Sequence, residues 1–499
     1  MDSNISLDQL ETRIDDTSLD LEPEMMRRAG YQVVDWIVER LQNLRASPLG
    51  RELDREQTEA LLREPLPEEG RCFEAVFAEY TQKVAPNAFS LDHPRFFAFI
   101  PSAPNFVSIL ADALVAGSNV FAGTWVESSG PSQVELVVMD WFKGMLGLPD
   151  TAAGLLVSGG SVASLTALAV ARRAVLNDET RDARVYLSNQ THASIDRGLR
   201  ILGISAAQMR RIPTDANFRM DTAELERQIQ RDLEAGLRPF AVVANAGATN
   251  TGAVDPLASI AEIARAYSLW FHADAAYGGF AALTERGRRS LSGIEQADSV
   301  ALDPHKWLYC PFEAGCVLVR NGGLMRETFR IMPEYMADVA RQEREVNFCD
   351  YGLQLTRSFR ALKVWMALKT YGARRFRQTI DRCLDLAEYA ARLFEQSPRI
   401  ELVTRPELGI FTFCYVPERL PATDTQAYLN RLNENLVAKI TASGRLMLSS
   451  TRLGLQTVLR LCVLNHRTRK EDVKEALSLI EQLGREAEAS LGWRDDSSV

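Results

Sequence analysis

The sequence predicts an α/β protein: a large domain with a mostly parallel β-sheet flanked by helices, preceded by a helical segment and followed by a small α+β domain. Between about 90 and 330, short apolar runs alternate with helical patterns, and near residue 355 the pattern changes to long helices followed by further apolar runs. Strands that alternate with helices are typical of parallel sheets, because each parallel connection needs a crossover. We therefore expect three parts, 1–88, 89–355 and 356–499.

The N-terminal part is expected to be helical. Its apolar residues recur at spacings of three and four, which is the period of an amphipathic helix. They are Met26, Ala29, Val33, Ile37 and Leu41. So long an apolar stripe needs a partner, and the sequence leaves open whether that partner is the chain's own core or a second subunit.

The remaining elements follow from apolar runs and helical periodicity. In the large domain, the expected strands are 155–157, 185–187, 240–243, 269–271 and 299–302, and the expected helices are 161–176, 221–235 and 257–267. In the small domain, the expected helices are 359–371, 374–397 and 469–487, and the expected strands are 400–403, 410–413 and 457–461. Parallel sheets of this kind bind ligands outside the carboxyl ends of their strands. Functional residues are therefore expected directly after the apolar runs.

The composition argues against several classes of function. With 57 Lys and Arg against 66 Asp and Glu, the 499-residue chain has a formal charge of −9, which disfavours a nucleic-acid partner or an anionic membrane surface. No signal segment and no unbroken apolar stretch of about 20 residues is evident, so we expect a cytoplasmic protein without a membrane span. The five histidines include no His-x-x-x-His pair and the seven cysteines no Cys-x-x-Cys, so neither a metal site nor a disulfide framework is expected.

A glycine-serine turn separates the first expected strand of the large domain from the helix after it. Gly159, Gly160 and Ser161 let the backbone approach a ligand closely, and the free N–H groups at the start of a helix favour a phosphate. The turn matches neither the dinucleotide nor the nucleoside-triphosphate motif. Such turns are also common without a ligand, so the turn alone does not identify a site.

Two more polar residues follow apolar runs. His192 can stack on a flat ring or move a proton, although a lone histidine is more often structural. Asp274 comes directly after the run 269–271 and would be poorly hydrated there. It therefore needs a partner, which could be a protonated pyridine nitrogen, a metal or a buried arginine.

Lys306 lies between the buried run 299–302 and Trp307. Lysines normally stay exposed, and a side chain that reaches the surface is the simplest interpretation of this one. A desolvated lysine is instead a nucleophile that forms an imine with an aldehyde. Taken together, a phosphate-binding turn, a stacking ring, a carboxylate and an imine-forming lysine are the groups that pyridoxal phosphate requires.

The sequence resembles the group II pyridoxal-phosphate-dependent amino-acid decarboxylases of fold type I, a family that includes aromatic-L-amino-acid decarboxylase. The resemblance covers about residues 20–485. It is carried by the motifs HPRFF at 93–97, MDW at 139–141, HADAAY at 272–277 and DPHKW at 303–307.

The resemblance implies how the cofactor ring is held. Lys306 would bind pyridoxal 5'-phosphate as an imine, and Asp274 would pair with the ring nitrogen. His192 would stack on one face of the ring and Ala276 would pack on the other. The family's active site is shared across a homodimer, which would give the N-terminal apolar stripe its partner.

The resemblance also implies which residues surround the rest of the cofactor. Gly159, Gly160 and Ser161 would hold the phosphate. His305 would neighbour the phosphate and a mobile catalytic loop. Thr249 would lie near the ring's phenolic oxygen or the substrate carboxylate.

The family's substrate pocket corresponds here to Phe99, Ile100, Pro101, Phe121 and Gly123. This slot is apolar and has no obvious charge for an acidic side chain, which favours an aromatic amino acid over glutamate as the small-molecule substrate. Leu91 stands where animal aromatic decarboxylases have a tryptophan, and Gly123 where they have a phenylalanine. The slot is therefore expected to be wider, with indole as plausible as phenol.

A departure from the family lies on the loop at about 333–356. Counting back from the RSFR motif at 357–360 aligns Phe348 with the tyrosine that the decarboxylases use as proton donor, and a phenyl ring cannot donate a proton. In plant relatives a phenylalanine there accompanies aldehyde synthases, which consume oxygen and release aldehyde, ammonia and peroxide. Tyr351, three residues on, could supply the proton instead, and we favour decarboxylation to the amine.

Two further functions stay open at the level of sequence. An aminotransferase on the same scaffold would need a basic clamp for the substrate α-carboxylate and a keto-acid co-substrate. A non-enzymatic homologue would have no physical need for a desolvated lysine, and the retention of every cofactor-contacting residue type argues against it.

Overall fold

The computed structural model describes residues 6–13, 19–331 and 345–491. The chain divides into two compact units, 1–89 and 90–499. The predicted large and small domains therefore belong to one unit. None of the described helices is both long and apolar enough to cross a membrane.

The first unit is helical. Its helices are α1 (Leu7–Arg13), α2 (Pro23–Asn43), α3 (Arg55–Leu62) and α4 (Phe73–Glu79). A proline at the first position starts α2, where its missing N–H costs no hydrogen bond. No residue of α2 is buried, and Met26 of the predicted stripe is 46% exposed. In the single chain, this part of the stripe is open to solvent.

The second unit contains a seven-stranded sheet. Its strands are β1 (Ala153–Val157), β2 (Ala183–Ser188), β3 (Met209–Ile212), β4 (Arg238–Asn245), β5 (Trp270–Asp274), β6 (Ser299–Leu302) and β7 (Gly315–Val319). The strand order is β1-β7-β6-β5-β4-β2-β3. β7 runs antiparallel to both of its neighbours, and the other pairs are parallel. The predicted, mostly parallel sheet is confirmed, with β3 and β7 as additional strands.

Helices cover this sheet. They are α5 (Phe106–Ser118), α6 (Trp125–Leu146), α7 (Gly160–Leu176), α8 (Ala193–Ile201), α9 (Thr222–Glu234), α10 (Leu257–Ala266), α11 (Glu285–Ser290), α12 (Pro304–Trp307) and α13 (Gly323–Phe329). The buried side of α7 includes Ala163, Ala167 and Ala171, which pack in one cluster with Val157 and Ala301 of the sheet. Small side chains let α7 approach the strands closely, so its first turn lies beside the strand ends.

A smaller antiparallel sheet follows. Its strands are β8 (Ile400–Thr404), β9 (Ile410–Tyr415), β10 (Ser449–Leu453) and β11 (Gln456–Cys462), in the order β10-β11-β9-β8. The helices of this region are α14 (Ala361–Glu395), α15 (Thr425–Ser443) and α16 (Lys470–Leu491). The two helices predicted for 359–371 and 374–397 are joined in α14 across a break at Gly372, where φ is 73° and ψ is 149°. Glycine adopts this backbone conformation without the cost that other residues incur.

A buried ion pair connects α6 with the segment before α14. Arg357 Nη2 lies 2.5 Å from Glu135 Oε1, and both side chains are fully buried. Arg357 also donates hydrogen bonds to the carbonyls of Ala122 and Leu156, and Glu135 accepts one from Leu156 N–H. The ring of Phe348 lies against the guanidinium, with its centroid 5.0 Å from Arg357 Cζ. The buried ion pair and its hydrogen bonds therefore connect α6, β1 and the Phe348 segment.

His272 in β5 is a second buried polar group, and it bridges neighbouring elements. Its Nδ1 lies 2.9 Å from Ser299 Oγ of β6, and its Nε2 lies 3.3 Å from Ser164 Oγ of α7. Burial lowers the pKa of His272 to about 4, because a charged imidazole loses its hydration there. The side chain is therefore neutral at pH 7 and fixes β5 against α7.

Glu135→Ala is expected to destabilise the protein by about 3–5 kcal/mol, because the charge of Arg357 is left buried without compensation. The free energy of unfolding from urea denaturation measures this effect. As a matched control, Glu285→Ala removes an exposed ion pair in which Glu285 is 79% and Arg289 68% exposed. That loss is expected to stay below about 1 kcal/mol. Equal losses in the two variants would contradict a structural role for the buried pair.

Stability is expected to fall as the pH falls from about 6.5 to about 4. In this window His272 binds a proton in the unfolded chain and not in the folded one, so protons favour unfolding. The difference between the pKa of about 4 in the folded protein and the ordinary pKa of 6.5 corresponds to about 3 kcal/mol of unfolding free energy. Between pH 7 and pH 4, His272→Asn should therefore lose about 3 kcal/mol less unfolding free energy than the unchanged protein. An identical pH dependence of the two proteins would rule this out.

Candidate active site

Three strand ends bring the predicted site residues together at one edge of the large sheet. β5 ends in Asp274, β6 is followed by Asp303, and β1 is followed by the turn before α7. In the parallel register, Asp274 is opposite Asn245 at the end of β4. Because carboxyl ends of parallel strands share an edge, these side chains face a common space.

A cavity of about 220 Å³ opens at this edge. It is lined by Gly159, Gly160, Ser161, His192, Ser194, Asn245, Gly247, Thr249, Asp274, Ala276, Tyr277, Asp303, His305 and Lys306. The nine residues that the sequence predicts to hold a cofactor are all in this lining.

Size alone does not identify the site. A larger cavity of about 610 Å³ lies around the start of β5, where Trp270, Asp298 and Arg320 contribute to the lining. Its lining includes neither a lysine nor a histidine. The smaller cavity at the carboxyl ends is the one that combines an amine, carboxylates, imidazoles and a glycine turn.

Lys306 is held inside the cavity by Asp303. Lys306 lies in α12, a single turn that starts directly after β6, and its Nζ is 2.8 Å from Asp303 Oδ2. The Lys306 side chain is 18% exposed and that of Asp303 is 3% exposed. The Lys306 side chain is therefore largely withdrawn from solvent, and a carboxylate lies beside its amine.

Asp274 differs from Asp303 because it has no charged partner close by. No ion pair within 4.0 Å joins it to any residue in the described ranges, and its Oδ1 accepts a hydrogen bond from Ala276 N–H at 3.2 Å. Burial raises the pKa of Asp274, and the charge of Lys306 lowers it in part. A cationic N–H group in the cavity would stabilise this carboxylate.

The glycine turn forms a tight wall beside these carboxylates. A Cβ on Gly160 would lie 2.8 Å from Ala276 Cβ and 3.1 Å from Asp303 Oδ2, so only glycine fits. The 17-residue helix α7 begins at Gly160, and no side chain caps its first N–H groups. These free donors and the positive end of the helix dipole fit a phosphate group, as pyridoxal phosphate requires.

Two histidines border the cavity. His192 caps α8, and its Nδ1 lies 2.8 Å from Ser194 Oγ, while the residue itself is exposed. His305 Nδ1 lies 2.7 Å from Ala314 O, and its ring packs against Phe312. Burial lowers the pKa of His305, although Asp303 opposes this in part.

The five predicted substrate-pocket residues do not line this cavity. Phe99 is 59% exposed, and Ile100 and Pro101 follow it. The buried Arg460 donates hydrogen bonds to the carbonyls of Phe99 and Thr249. This places the Phe99 segment beside the cavity lining but outside it.

Phe121 and Gly123 lie just before α6. A Cβ on Gly123 would lie 2.3 Å from Phe121 Cζ and 2.9 Å from Leu355 O. The ring of Phe121 therefore fills the space that the missing side chain leaves. In the single chain, Gly123 does not open a wider slot.

Phe348 and Tyr351 are not brought to the cavity either. They form the short helical turn Phe348–Tyr351, and Phe348 is 1% exposed in the core against Arg357. Tyr351 packs on the same cluster, and burial raises its pKa. A ring enclosed in the core cannot take a proton donor's place beside a substrate. Part of the predicted loop at 333–356 lies outside the described residues.

Sequence reasoning did not name Asp303 or Arg460 as functional. Asp303 directly follows the predicted strand 299–302, which is the same signal that identified Asp274, so it could have been found. Arg460 falls inside the predicted strand 457–461. Only the fold shows that its guanidinium holds the Thr249 backbone.

Comparisons with known proteins bear on this site. The model of the pyridoxal-dependent decarboxylase conserved domain matches residues 56–416. The chain is 44% identical to an aromatic-L-amino-acid decarboxylase of Bacillus atrophaeus, over 95% of this chain and 98% of that one. It is 31% identical to a phenylacetaldehyde synthase of Arabidopsis thaliana, over 93% and 96%.

Solved structures agree with the sequence matches. The crystal structure of Oryza sativa TDC with PLP and tryptamine superposes with a TM-score of 0.89 at 27% identity, covering 94% of this chain and 99% of that one. The family model alone matches more than half of the chain. This chain therefore belongs to the pyridoxal-phosphate-dependent amino-acid decarboxylases, which are carboxy-lyases that use pyridoxal phosphate.

Proposed function

We propose that this enzyme removes carbon dioxide from an aromatic L-amino acid and releases the corresponding amine. The observation that carries the proposal is the grouping of Lys306, Asp274 and the Gly159–Gly160 turn around one cavity. An amine, a buried carboxylate and a phosphate-binding turn are the groups that this cofactor needs. The similarity to an aromatic-L-amino-acid decarboxylase supports an aromatic substrate.

In this proposal, each of four cavity residues would make a different contact with the cofactor ring. Lys306 would provide the amine for the covalent link, and Asp274 would accept the N–H of the ring nitrogen, a cation that this carboxylate lacks among the described residues. His192 and Ala276, which line the cavity, would hold the two faces of the ring. When bound, pyridoxal phosphate supplies an electron sink for the charge left at Cα after the carboxylate departs.

The start of α7 would hold the phosphate. Gly159, Gly160 and Ser161 offer backbone N–H groups without side-chain obstruction. His305 and Thr249 also line the cavity; His305 would neighbour the phosphate, and Thr249 would lie near the ring's phenolic oxygen or the substrate carboxylate.

A homodimer completes the substrate pocket. Phe121 and Gly123 do not line the cavity of their own chain, and in this proposal they reach the cavity of a second copy. There they meet the apolar segment formed by Phe99, Ile100 and Pro101. Exposed apolar side chains on α5 and α6 support a contact surface in this region; they are Leu110, Leu114 and Val126.

The proton that replaces the carboxylate needs an acidic group, and the positions of Phe348 and Tyr351 in the core do not favour either. The other tyrosine of 333–356 is Tyr335. It lies outside the described residues, and we assign the proton donor to it on sequence alone. With a phenol available, the amine is the expected product.

A reducing compartment suits this chain. All seven cysteines are free thiols, and six of them are buried. Proteins of oxidising compartments commonly pair their cysteines. This supports the proposed cytoplasmic location.

Lys306→Ala is expected to abolish the visible absorbance that pyridoxal phosphate acquires when it is bonded to a protein lysine. Absorbance spectra after addition of the cofactor and removal of the excess measure this. Lys143→Ala is a matched control, because Lys143 is 15% exposed and also pairs with an aspartate, Asp140, at 2.8 Å. The control should keep the absorbance. Survival of the absorbance without Lys306 would exclude this lysine as the attachment site.

Incubation in air with phenylalanine, tyrosine, dihydroxyphenylalanine and tryptophan, each alone, is expected to yield an amine from at least one of them without peroxide. Amine, aldehyde and peroxide are quantified separately. Tyr335→Phe should lower amine formation by about 10²-fold or more, whereas Tyr351→Phe should not. Aldehyde with an equal amount of peroxide from the unchanged protein would contradict the proposal. Loss of amine only in Tyr351→Phe would move the donor role to Tyr351.

A further inference from the structure

Lys306 has a carboxylate beside it that the proposed cofactor contacts do not use. Asp303 Oδ2 is 2.8 Å from Lys306 Nζ, and the Asp303 side chain is 3% exposed. Among the residues that the structure describes, Asp303 Oδ1 has no hydrogen-bond partner. A desolvated carboxylate with one free oxygen is costly unless it serves a nearby cation, and Lys306 is that cation.

Asp274 is not an alternative partner for the lysine. Its charge affects Lys306 only at longer range, since no ion pair within 4.0 Å joins it to a residue of the described ranges. The two carboxylates of the cavity therefore have separate tasks. Asp274 stays available to the cofactor ring, and Asp303 accompanies the amine.

We infer that Asp303 is the charge partner of Lys306 and controls how readily its amine gives up a proton: it holds Nζ as an ammonium ion before the cofactor arrives. The inference rests on the proposed role of Lys306. Because Asp303 contacts the reacting nitrogen itself, it is a catalytic residue.

The backbone around Asp303 favours a carboxylate there. A Cβ on Gly160 would lie only 3.1 Å from Asp303 Oδ2, so the carboxylate lies against the first residue of α7. The positive end of the helix dipole stabilises a negative charge at this place. The start of α7 and the Lys306 amine are thus two positive groups that lie beside the Asp303 carboxylate.

The other titratable groups that face Asp303 do not replace Lys306. His305 Nε2 is 3.6 Å from Asp303 Oδ2, and burial lowers the pKa of His305, which favours the neutral ring. Cys316 of β7 is a neutral thiol, because burial raises its pKa. Asp274 carries the same sign of charge as Asp303. Lys306 is the cation in contact.

The test measures the amine directly, in the full-length chain freed of cofactor. Acetic anhydride reacts with neutral amines, and mass spectrometry of the peptide that contains Lys306 gives its acetylation rate at each pH. Asp303→Asn is expected to move the midpoint of this pH profile down by about 1 to 3 pH units, because an opposite charge in contact is lost. Asp303→Glu keeps the charge and should return the midpoint towards that of the unchanged protein.

Asp298→Asn is the matched control, because Asp298 precedes the same strand that Asp303 follows and accepts the Phe271 N–H at 2.8 Å. Its midpoint should equal that of the unchanged protein. An unmoved midpoint in Asp303→Asn, or an equal shift in Asp298→Asn, overturns the inference. Should Asp303→Asn not fold, Asp303→Ser replaces it with the same expected shift.

The two proposals fail in different ways. If the unchanged protein acquires no lysine-linked absorbance with pyridoxal phosphate, the proposed function fails. The acetylation midpoint still reports whether Asp303 controls the proton of Lys306. If the absorbance appears and the midpoint does not move in Asp303→Asn, only the role of Asp303 fails.

Discussion

The pairing of β5 with β6 is the constraint on which the site depends. Their register sets Asp274 opposite Ala301, so Asp274 and Asp303 end adjacent strands and face one small cavity. Two carboxylates confined in this way repel each other unless a cation lies between them. α12 starts directly after β6 and turns Lys306 inward, which supplies a cation to Asp303, while Asp274 has no ion pair within 4.0 Å in the described ranges. The sheet thus fixes the charges of the site before any cofactor binds.

Buried charges elsewhere in the chain show what is unusual about Asp274. Arg357 is neutralised by Glu135 within the core, and the nearly buried Lys363 pairs with Asp112 at 2.9 Å. Among the residues that the structure describes, the Ala276 N–H is the hydrogen-bond donor to the Asp274 carboxylate, and no ion pair within 4.0 Å joins it. A burial cost that the chain leaves uncompensated is a mark of a functional site rather than of a structural one. In the proposed function, a protonated pyridine nitrogen would provide a cation for Asp274.

The sequence predicted the mostly parallel sheet and the residues that line the cavity, because both depend on local patterns. Apolar runs delimit strands, and the polar residue after each run lies at the strand end. The direction of β7 could not be predicted, since an antiparallel strand has the same apolar run as a parallel one. The surroundings of Phe121 and Gly123 could not be predicted either, because Gly123 lies beside Leu355 and Cys349, which are distant in the sequence.

The position of Phe348 shows where counting along a loop fails. A count from the RSFR motif at 357–360 cannot reveal that Arg357, the first residue of that motif, lies against the Phe348 ring and keeps it in the core. A phenylalanine changes the chemistry only where its ring meets the substrate. Buried against Arg357, it supports the structure, and it gives no reason to expect an aldehyde.

Next to the buried ion pair of Arg357 and Glu135, backbone hydrogen bonds join the segment after the loop to the proposed substrate slot. Cys349 N–H donates to Gly123 O at 3.0 Å, and Ala122 N–H donates to Arg357 O at 2.9 Å. The segment at 347–357 and the segment at 121–125 are therefore hydrogen-bonded to each other. The buried pair of Arg357 and Glu135 supports both segments, because Arg357 also donates to the Ala122 carbonyl. A substitution that removes this pair is therefore expected to disturb the segment at 121–125 as well as the core.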